Sequence, residues 1–306
     1  MASVLNNQNT IFFQFDEEEQ IEKPKKAFSC WQQEGNFVSA AENTKRFDKL
    51  TPGLYNIIGE NGNIFCNKIE ISKNQLYSFD DPIIVNIIEE LDKFWEKAEV
   101  YKQKNRIHKR GVFLDGPSGT GKTSISHLII DDFISKGGIA FEIKGFRNFI
   151  SYIYFVKNHL RVIEPDRAII TFIEDIDQYE EVDPEMLSFL SGSDSINHNV
   201  TIATSNNSES LPDTYLRSCR FDLKVTVENP DENKRYKFLE VLGTEELILD
   251  NLTEATEDFS MADLEELHTL IYMFDFPVED AIKRIKTPHE KINFLDKPKK
   301  TKQLGI

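Results

Sequence analysis

Two spacings of apolar residues alternate along the middle of the chain. Short apolar runs, which are typical of buried strands, lie at 111–115, 139–143, 168–173 and 200–204. After the first run, apolar residues such as Ile125 and Ile129 recur every three or four positions, which predicts a helix. Since strands and helices alternate, the pattern predicts an α/β fold, with a parallel sheet and helices on both of its faces.

The pattern changes on both sides of this region. Before it, short strand candidates lie at 11–15, 27–30 and 37–40, and the apolar runs 54–58 and 63–66 flank a Gly-rich turn, which predicts a hairpin. After Pro230 only helical spacing remains. We therefore expect four segments: a small β-rich N-terminal domain (1–76), an α/β domain (77–228), a helical domain (229–292) and a flexible basic tail (293–306).

Capping signals place two helix starts. Asp81 precedes Pro82, an acid at the capping position followed by proline at the first helical position. Ser260 with Asp263 three residues later is a capping box, and it predicts a helix from Asp263 to Phe274. In the helical domain we expect breaks between helices at Gly243 and near Phe259.

Charge and cysteine content narrow the class of protein. The 306 residues include 52 acidic and 36 basic ones, a net charge of −16. Such a surface repels a phosphate backbone, so broad nucleic-acid binding is not expected. The three cysteines, Cys30, Cys66 and Cys219, have no metal-like spacing. Without a signal peptide or an apolar run long enough to span a membrane, we expect a cytoplasmic protein that does not contact membranes.

The strongest chemical signal is the segment GPSGTGKT, which fits the pattern G-x-x-x-x-G-K-[ST] between a strand and a helix. Its glycines allow backbone N–H groups to converge on phosphate oxygens. Lys122 supplies a cation for the β and γ phosphates, and Thr123 offers a hydroxyl to Mg²⁺. The pattern predicts ATP and Mg²⁺ as cofactors. The predicted nucleotide-binding residues are Gly116, Pro117, Ser118, Gly119, Thr120, Gly121, Lys122, Thr123 and Ser124.

Polar residues follow the next strands, at the sheet edge where the phosphate loop lies. Glu174 and Asp175 come directly after the third strand, and Asn206 follows the fourth. Hydrolysis of a phosphoanhydride needs its charge neutralised and a water aligned for attack. We expect Glu174 and Asp175 to supply the metal-shell and water-activating carboxylates, and Asn206 to orient the water or to sense the γ-phosphate by hydrogen bonding. An arginine that stabilises transition-state charge often comes from a neighbouring subunit.

These motifs resemble those of the AAA ATPases over about residues 80 to 285. GVFLDGPSGTGKT resembles the family's Walker A region, ITFIEDID its Walker B strand, and VTIATSNNSESLPDTYLRSCRFDLKV its second region of homology. The resemblance implies a P-loop NTPase domain followed by a helical lid. It implies that Asn206 is sensor 1 and that Arg217 and Arg220 are arginine fingers. It also implies a homo-oligomeric ring, usually a hexamer, with ATP bound between subunits.

Three departures from the family pattern stand out. The usual Asp-Glu pair is reversed to Glu174-Asp175, as in the Bcs1-like branch and its bacterial and phage relatives. The resemblance therefore implies that Glu174 is the metal-side acid, with Thr123, and that Asp175 is the base. The usual Pro-Gly between the two arginines is replaced by Ser218-Cys219. No pore loop of the usual aromatic-hydrophobic-glycine type follows the second strand, where Phe146 fits either a pore residue or, as its helical spacing favours, a helix core.

Three functions remain open at this point. The first is an ATP-driven ring motor that remodels, unfolds or translocates a protein client. The second is a loader or assembly factor for nucleic-acid machinery, in which the basic stretch 102–110 and the tail carry the contacts. The third is a nucleotide-dependent scaffold with slow hydrolysis, which the reversed acid pair makes conceivable.

Overall fold

The computed structural model describes most of the chain beyond its first 29 residues. The described residues are 30–34, 37–41, 48–60, 63–72, 81–179, 184–191, 195–217 and 219–287. The strand candidate at 11–15 and the basic tail 293–306 lie outside them. Contacts divide the chain into two units, 1–228 and 229–306, and each is described by itself.

Nine strands of the first unit form one sheet in the order β1-β2-β4-β3-β6-β7-β8-β5-β9. The pairs β3–β6, β6–β7, β7–β8, β8–β5 and β5–β9 are parallel, and the pairs among β1 to β4 are antiparallel. The strands are β1 (Cys30–Glu34), β2 (Phe37–Ala41), β3 (Gly53–Glu60), β4 (Asn63–Ile69), β5 (Lys109–Asp115), β6 (Ile139–Ile143), β7 (Ile169–Ile173), β8 (Asn199–Ser205) and β9 (Leu223–Thr226). The predicted parallel sheet is confirmed.

The β-rich N-terminal strands are not a separate layer. The predicted hairpin is present as β3 and β4, but β3 also pairs in parallel with β6, from Gly53 opposite Ile139 to Asn56 opposite Glu142. A fully separate domain at 1–76 is therefore contradicted by the described strands, which extend the central sheet. The physical reason lies in β3, where Leu54, Tyr55 and Ile57 are buried. A strand that is apolar on both faces suits the interior of a sheet.

Helices of the first unit begin where the sequence signals place them. Asp81 accepts a hydrogen bond from the Ile83 N–H (3.0 Å) and caps the first helix. The helix that begins at Phe146 is an α-helix that continues into a π-helical turn at Val156–Leu160. The helices are α1 (Pro82–Trp95), α2 (Ala98–Gln103), α3 (Lys122–Ser135), α4 (Phe146–Phe155), α5 (Arg161–Ile163) and α6 (Pro184–Ser191).

Apolar side chains cover both faces of the sheet. Along β5, Phe113 belongs to one buried cluster while Val112 and Leu114 belong to the other, since successive side chains of a strand point to opposite faces. The first cluster includes Phe149 from α4, and the second includes Ile129 from α3. Helices therefore pack on both faces, as predicted, and leave the strand ends open for a site.

The second unit is helical throughout its described residues. The predicted capping box is confirmed: Ser260 and Asp263 exchange hydrogen bonds at the start of a helix that runs from Met261 to Tyr272. Gly243 ends the first helix of this unit, Glu232–Leu242, in a left-handed conformation. The helices are α7 (Glu232–Leu242), α8 (Glu246–Ala255), α9 (Met261–Tyr272) and α10 (Val278–Lys286). The assignment of this unit as a lid domain remains a prediction.

Candidate active site

The loop between β5 and α3 has the backbone of a phosphate cradle. Gly116 has a φ of +148°, and a Cβ there would lie 2.1 Å from the carbonyl oxygen of Val227. Gly121, with a φ of +94°, turns the chain directly into α3. The Thr120 hydroxyl donates to the Pro117 carbonyl (3.0 Å) and closes the loop. A loop of this shape at a helix N-terminus is suited to an anion.

Lys122 lies inside this loop. Its side chain is buried, and its ammonium donates to the carbonyl oxygens of Gly116 (2.8 Å) and Pro117 (2.6 Å). Burial lowers the pKa of Lys122, while the negative charges of Asp175 and Asp115 act in the opposite direction. The loop therefore holds a cation at its centre, next to acids at the neighbouring strand ends.

Thr123, on the first turn of α3, lies beside the first acid of the pair. Its hydroxyl donates to Oε1 of Glu174 (3.1 Å), and Nζ of Lys144 is 3.1 Å from the other oxygen, Oε2. The two residues predicted for the metal are thus in direct contact. Hydroxyl and carboxylate oxygens are the ligands that Mg²⁺ prefers, so the donor set fits this ion.

Asp175 lies at the carboxyl end of β7 with a left-handed backbone (φ +47°). Its Oδ1 accepts from the Asn206 side-chain amide (2.9 Å), and its Oδ2 accepts from Gln178 Nε2 (3.0 Å). Its backbone N–H donates to Thr204 Oγ1 (3.0 Å). Burial, followed by the charges of Glu174 and other acids, raises the pKa of Asp175. A raised pKa and a fixed orientation suit a group that accepts a proton from water.

Asn206 joins the ends of two neighbouring strands. Its backbone N–H donates to Asp177 Oδ1 (3.2 Å), in addition to the amide contact with Asp175. At the same edge, the Ser208 hydroxyl donates to Asp115 Oδ2 (2.6 Å), which ties the segment after β8 to the start of the cradle. The structure therefore brings the predicted loop, the acid pair and the asparagine together.

The two predicted arginine fingers are not hydrogen-bonded to the described residues of the cradle. Arg217 is exposed, and Nε of Arg220 donates to Ser191 Oγ (2.9 Å). Between them, Cys219 has a φ of +73°, a conformation that favours glycine. The turn thus keeps a backbone suited to the glycine that the family pattern places there, although Ser218 lies outside the described residues.

Lys144 was missed by the sequence reasoning. It directly follows β6, at the sheet edge where β7 ends in Glu174, so its place after a strand was the available signal. Phe146 differs from the expectation in another way. It is 38% exposed at the start of α4, so its assignment to the helix core is wrong. The helical core face is instead occupied by Phe149 and Tyr152, which are fully buried.

Glu142 forms a second carboxylate site beside Lys144. Its Oε2 lies 3.5 Å from Lys144 Nζ, and its Oε1 lies 3.4 Å from His127 Nε2. Burial raises the pKa of Glu142, but the His127 hydrogen bond and the Lys144 charge outweigh it, so this pKa lies below its ordinary value. Glu142 therefore carries a negative charge within 4 Å of the lysine that contacts Glu174.

Clusters of metal-binding side chains and membrane-spanning helices are not found among the described residues. No group of three or more His, Cys, Asp or Glu side chains there is arranged to hold a metal ion by itself. A Mg²⁺ ion bound by one or two side chains together with phosphate oxygens needs no such group. Within the described part of the chain, no helix has the length and apolar content to cross a membrane.

Comparisons with known proteins show what this site is similar to. Residues 112–229 match the family model described as "ATPase family associated with various cellular activities (AAA)". The matched segment contains the cradle, the acid pair, Asn206 and both arginines. This part of the chain is therefore similar to AAA ATPase domains, and the similarity supports ATP hydrolysis as its reaction.

Individual relatives are similar over the same region. An "AAA ATPase forming ring-shaped complexes" from Corynebacterium kroppenstedtii is 27% identical over 187 residues, 52% of this chain and 33% of the relative. An "ATP-dependent zinc metalloprotease FtsH" from Streptobacillus moniliformis is 26% identical over 243 residues, 69% of this chain and 35% of the relative. A "Proteasome-associated ATPase" from Mycolicibacterium vanbaalenii is 25% identical over 198 residues, 53% and 32% of the two chains. The chain spans about a third of the length of these relatives.

Proposed function

We propose that this chain is an ATP-hydrolysing AAA ring motor that remodels, unfolds or translocates a protein client. The observation that carries the proposal is the pairing of both acids with their predicted partners: Glu174 with Thr123, and Asp175 with Asn206. These contacts supply the two requirements of phosphoryl transfer to water, a metal-side oxygen pair and an oriented base. The match to the AAA family supports the same reaction.

Each residue of the site has a role in this proposal. The loop amides and Lys122 bind the phosphates, and Thr123 with Glu174 would hold Mg²⁺. The ion, when bound, neutralises phosphate charge and orients the phosphate oxygens. Asp175 takes a proton from the attacking water, and Asn206 keeps the Asp175 carboxylate in place.

The positions of the two arginines support the proposal of a ring. Arg217 is exposed, and neither it nor Arg220 is hydrogen-bonded to the described residues of its own cradle. We propose that they reach the nucleotide of a neighbouring subunit, where an arginine stabilises charge in the transition state. The relative from Corynebacterium kroppenstedtii carries ring formation in its name, which supports self-association here. A hexamer is the ring size we propose, with membership of the Bcs1-like branch.

A protein client is favoured over nucleic acid by charge. Lys102 and Arg106 of the basic stretch 102–110 line a polar cleft at the amino ends of β5 and β8, but Glu99 and Asp166 line the same cleft. Mixed charge gives little counterion release on a phosphate backbone. The names of two relatives, a metalloprotease and a proteasome-associated ATPase, also point to protein substrates.

The proposal is tested by measuring ATP binding and turnover in the wild type and in Lys122→Ala. We expect Mg²⁺-dependent turnover in the wild type and loss of nucleotide binding in the variant, because the buried ammonium lies among the loop carbonyls. Lys136→Ala is the matched control, since Lys136 is an exposed lysine paired with Asp92 and Asp132 at the far end of α3. Tight binding without turnover would instead support the scaffold function, and salt-sensitive DNA binding the loader function. A chain that neither binds nor hydrolyses ATP contradicts all three.

A further inference from the structure

Polar contacts form a closed circuit beside the phosphate cradle. Starting from α3, the circuit runs from Thr123 to Glu174, to Lys144, to Glu142 and to His127, which lies one turn after Thr123 on the same helix. The successive separations are 3.1, 3.1, 3.5 and 3.4 Å. The circuit therefore links both oxygens of the metal-side acid to a second carboxylate.

Lys144 is far more exposed than the two carboxylates that it contacts. Its side chain is 62% exposed, whereas the side chains of Glu174 and Glu142 are 23% and 7% exposed. A long, flexible side chain with its ammonium between two carboxylates can shift from one to the other by small rotations. Glu142 is held in place from the other side by His127. The lysine therefore has a fixed alternative partner if Glu174 is taken by another cation.

We propose that Lys144 competes with the divalent metal for Glu174 and moves to Glu142 when the metal binds. The inference rests on the proposed function, because it takes Glu174 as the metal-side acid. Two cations that share one carboxylate weaken each other's binding, so Lys144 lowers the metal affinity of the site. Glu142 limits this effect, since it stabilises the displaced ammonium. Lys144 is thus a positioning residue that sets how readily metal enters and leaves the nucleotide site.

The proposal predicts opposite effects for the two partners. Lys144→Met removes the competing cation and should tighten metal binding about two- to five-fold, the range expected for an exposed ion pair. Glu142→Gln removes the alternative partner and should weaken metal binding, by roughly two-fold on the same scale. The double variant should behave as Lys144→Met alone, because Glu142 acts only through the lysine. Lys144→Arg keeps a competing cation and should stay near the wild type.

Binding is measured by titrating Mn²⁺ into full-length protein with a non-hydrolysable ATP analogue and following the free ion by electron paramagnetic resonance. This readout does not depend on turnover. Lys136→Met serves as the matched control, because Lys136 also pairs with two acids, Asp92 and Asp132, but lies at the opposite end of α3. Thermal unfolding verifies that Glu142→Gln is folded. Should that variant fail to fold, the contrast between Lys144→Met and Lys144→Arg still shows whether the charge of Lys144 lowers the metal affinity.

Equal metal affinity in Lys144→Met and the wild type would overturn the proposal, as would weaker binding in Lys144→Met. Effects of Lys144→Met and Glu142→Gln that have the same sign would also overturn it, since they would indicate a merely structural circuit. A failure of the proposed function looks different. In that case the wild type itself would show no nucleotide-dependent Mn²⁺ binding, and the Lys144 variants would show none either.

Discussion

Replacement of the proposed base, Asp175→Asn, separates nucleotide binding from hydrolysis. The wild-type carboxylate accepts two hydrogen bonds, from Asn206 and from Gln178. An asparagine has one acceptor oxygen, so it keeps one of these hydrogen bonds and loses the other. The lost hydrogen bond lowers the stability of the folded state by about 1 kcal/mol. Loss of a general base costs about 10²- to 10⁴-fold in rate, or roughly 3–5 kcal/mol. The catalytic loss should therefore exceed the structural one.

Steady-state turnover and retention of labelled ATP after rapid gel filtration measure the two effects. We expect Asp175→Asn to lose at least about 100-fold in turnover and to keep bound ATP. Gln178→Ala is the control, because it removes one of the same hydrogen bonds and leaves the carboxylate, so its turnover should fall only a few-fold. If the turnover of Asp175→Asn falls no further than that of Gln178→Ala, Asp175 is not the base.

Two other substitutions test the cradle and the core. In Gly116→Ala, the new Cβ would lie 2.1 Å from the Val227 carbonyl oxygen. We expect lost nucleotide binding and a thermal destabilisation beyond that of Gly137→Ala, where φ is also positive but the space is open; equal destabilisation would contradict the clash. Burial lowers the pKa of His159 from its ordinary value of 6.5 to about 4. At a pH below 6.5, the folded state therefore binds fewer protons than the unfolded state. The free energy of unfolding should fall by up to roughly 3 kcal/mol between pH 6.5 and 4. Urea titrations of His159→Phe should show less of this fall, and an unchanged pH dependence would refute the assignment.

Much of the central sheet could be predicted because its signals are local. The apolar runs of β5 to β8 are bounded by helical spacing, and the capping residues Asp81 and Ser260 mark helix starts through their own hydrogen bonds. β1 was missed because Cys30–Glu34 has no alternation of apolar and polar residues, although its Trp31 is buried in the core. The parallel pairing of β3 with β6 was missed because it joins segments more than 80 residues apart.

The residues of the site also fall into those that the sequence could predict and those that it could not. The cradle and the acid pair follow from sequence order, since the carboxyl ends of parallel strands meet at one edge. The contact of Lys144 with Glu174 depends on how a long side chain crosses from one strand end to the next, which no spacing rule encodes. The exposure of Phe146 likewise depends on where α4 begins, because helical spacing alone does not fix which turn reaches the core.

Mixing of wild-type and variant subunits shows whether ATP is hydrolysed at sites that two subunits of a ring share. ATP turnover is measured across a protein concentration series, and again with increasing fractions of Arg217→Ala at constant total protein. Arg106→Ala, another exposed arginine, gives the matched control for mixing. For a ring with shared sites, we expect specific activity to rise with protein concentration. In the mixtures, we expect activity to fall more steeply than in proportion to the fraction of Arg217→Ala. Activity that is independent of protein concentration and falls only in proportion to the inactive fraction would place the complete site within one subunit. Such a result would contradict hydrolysis at sites shared between subunits.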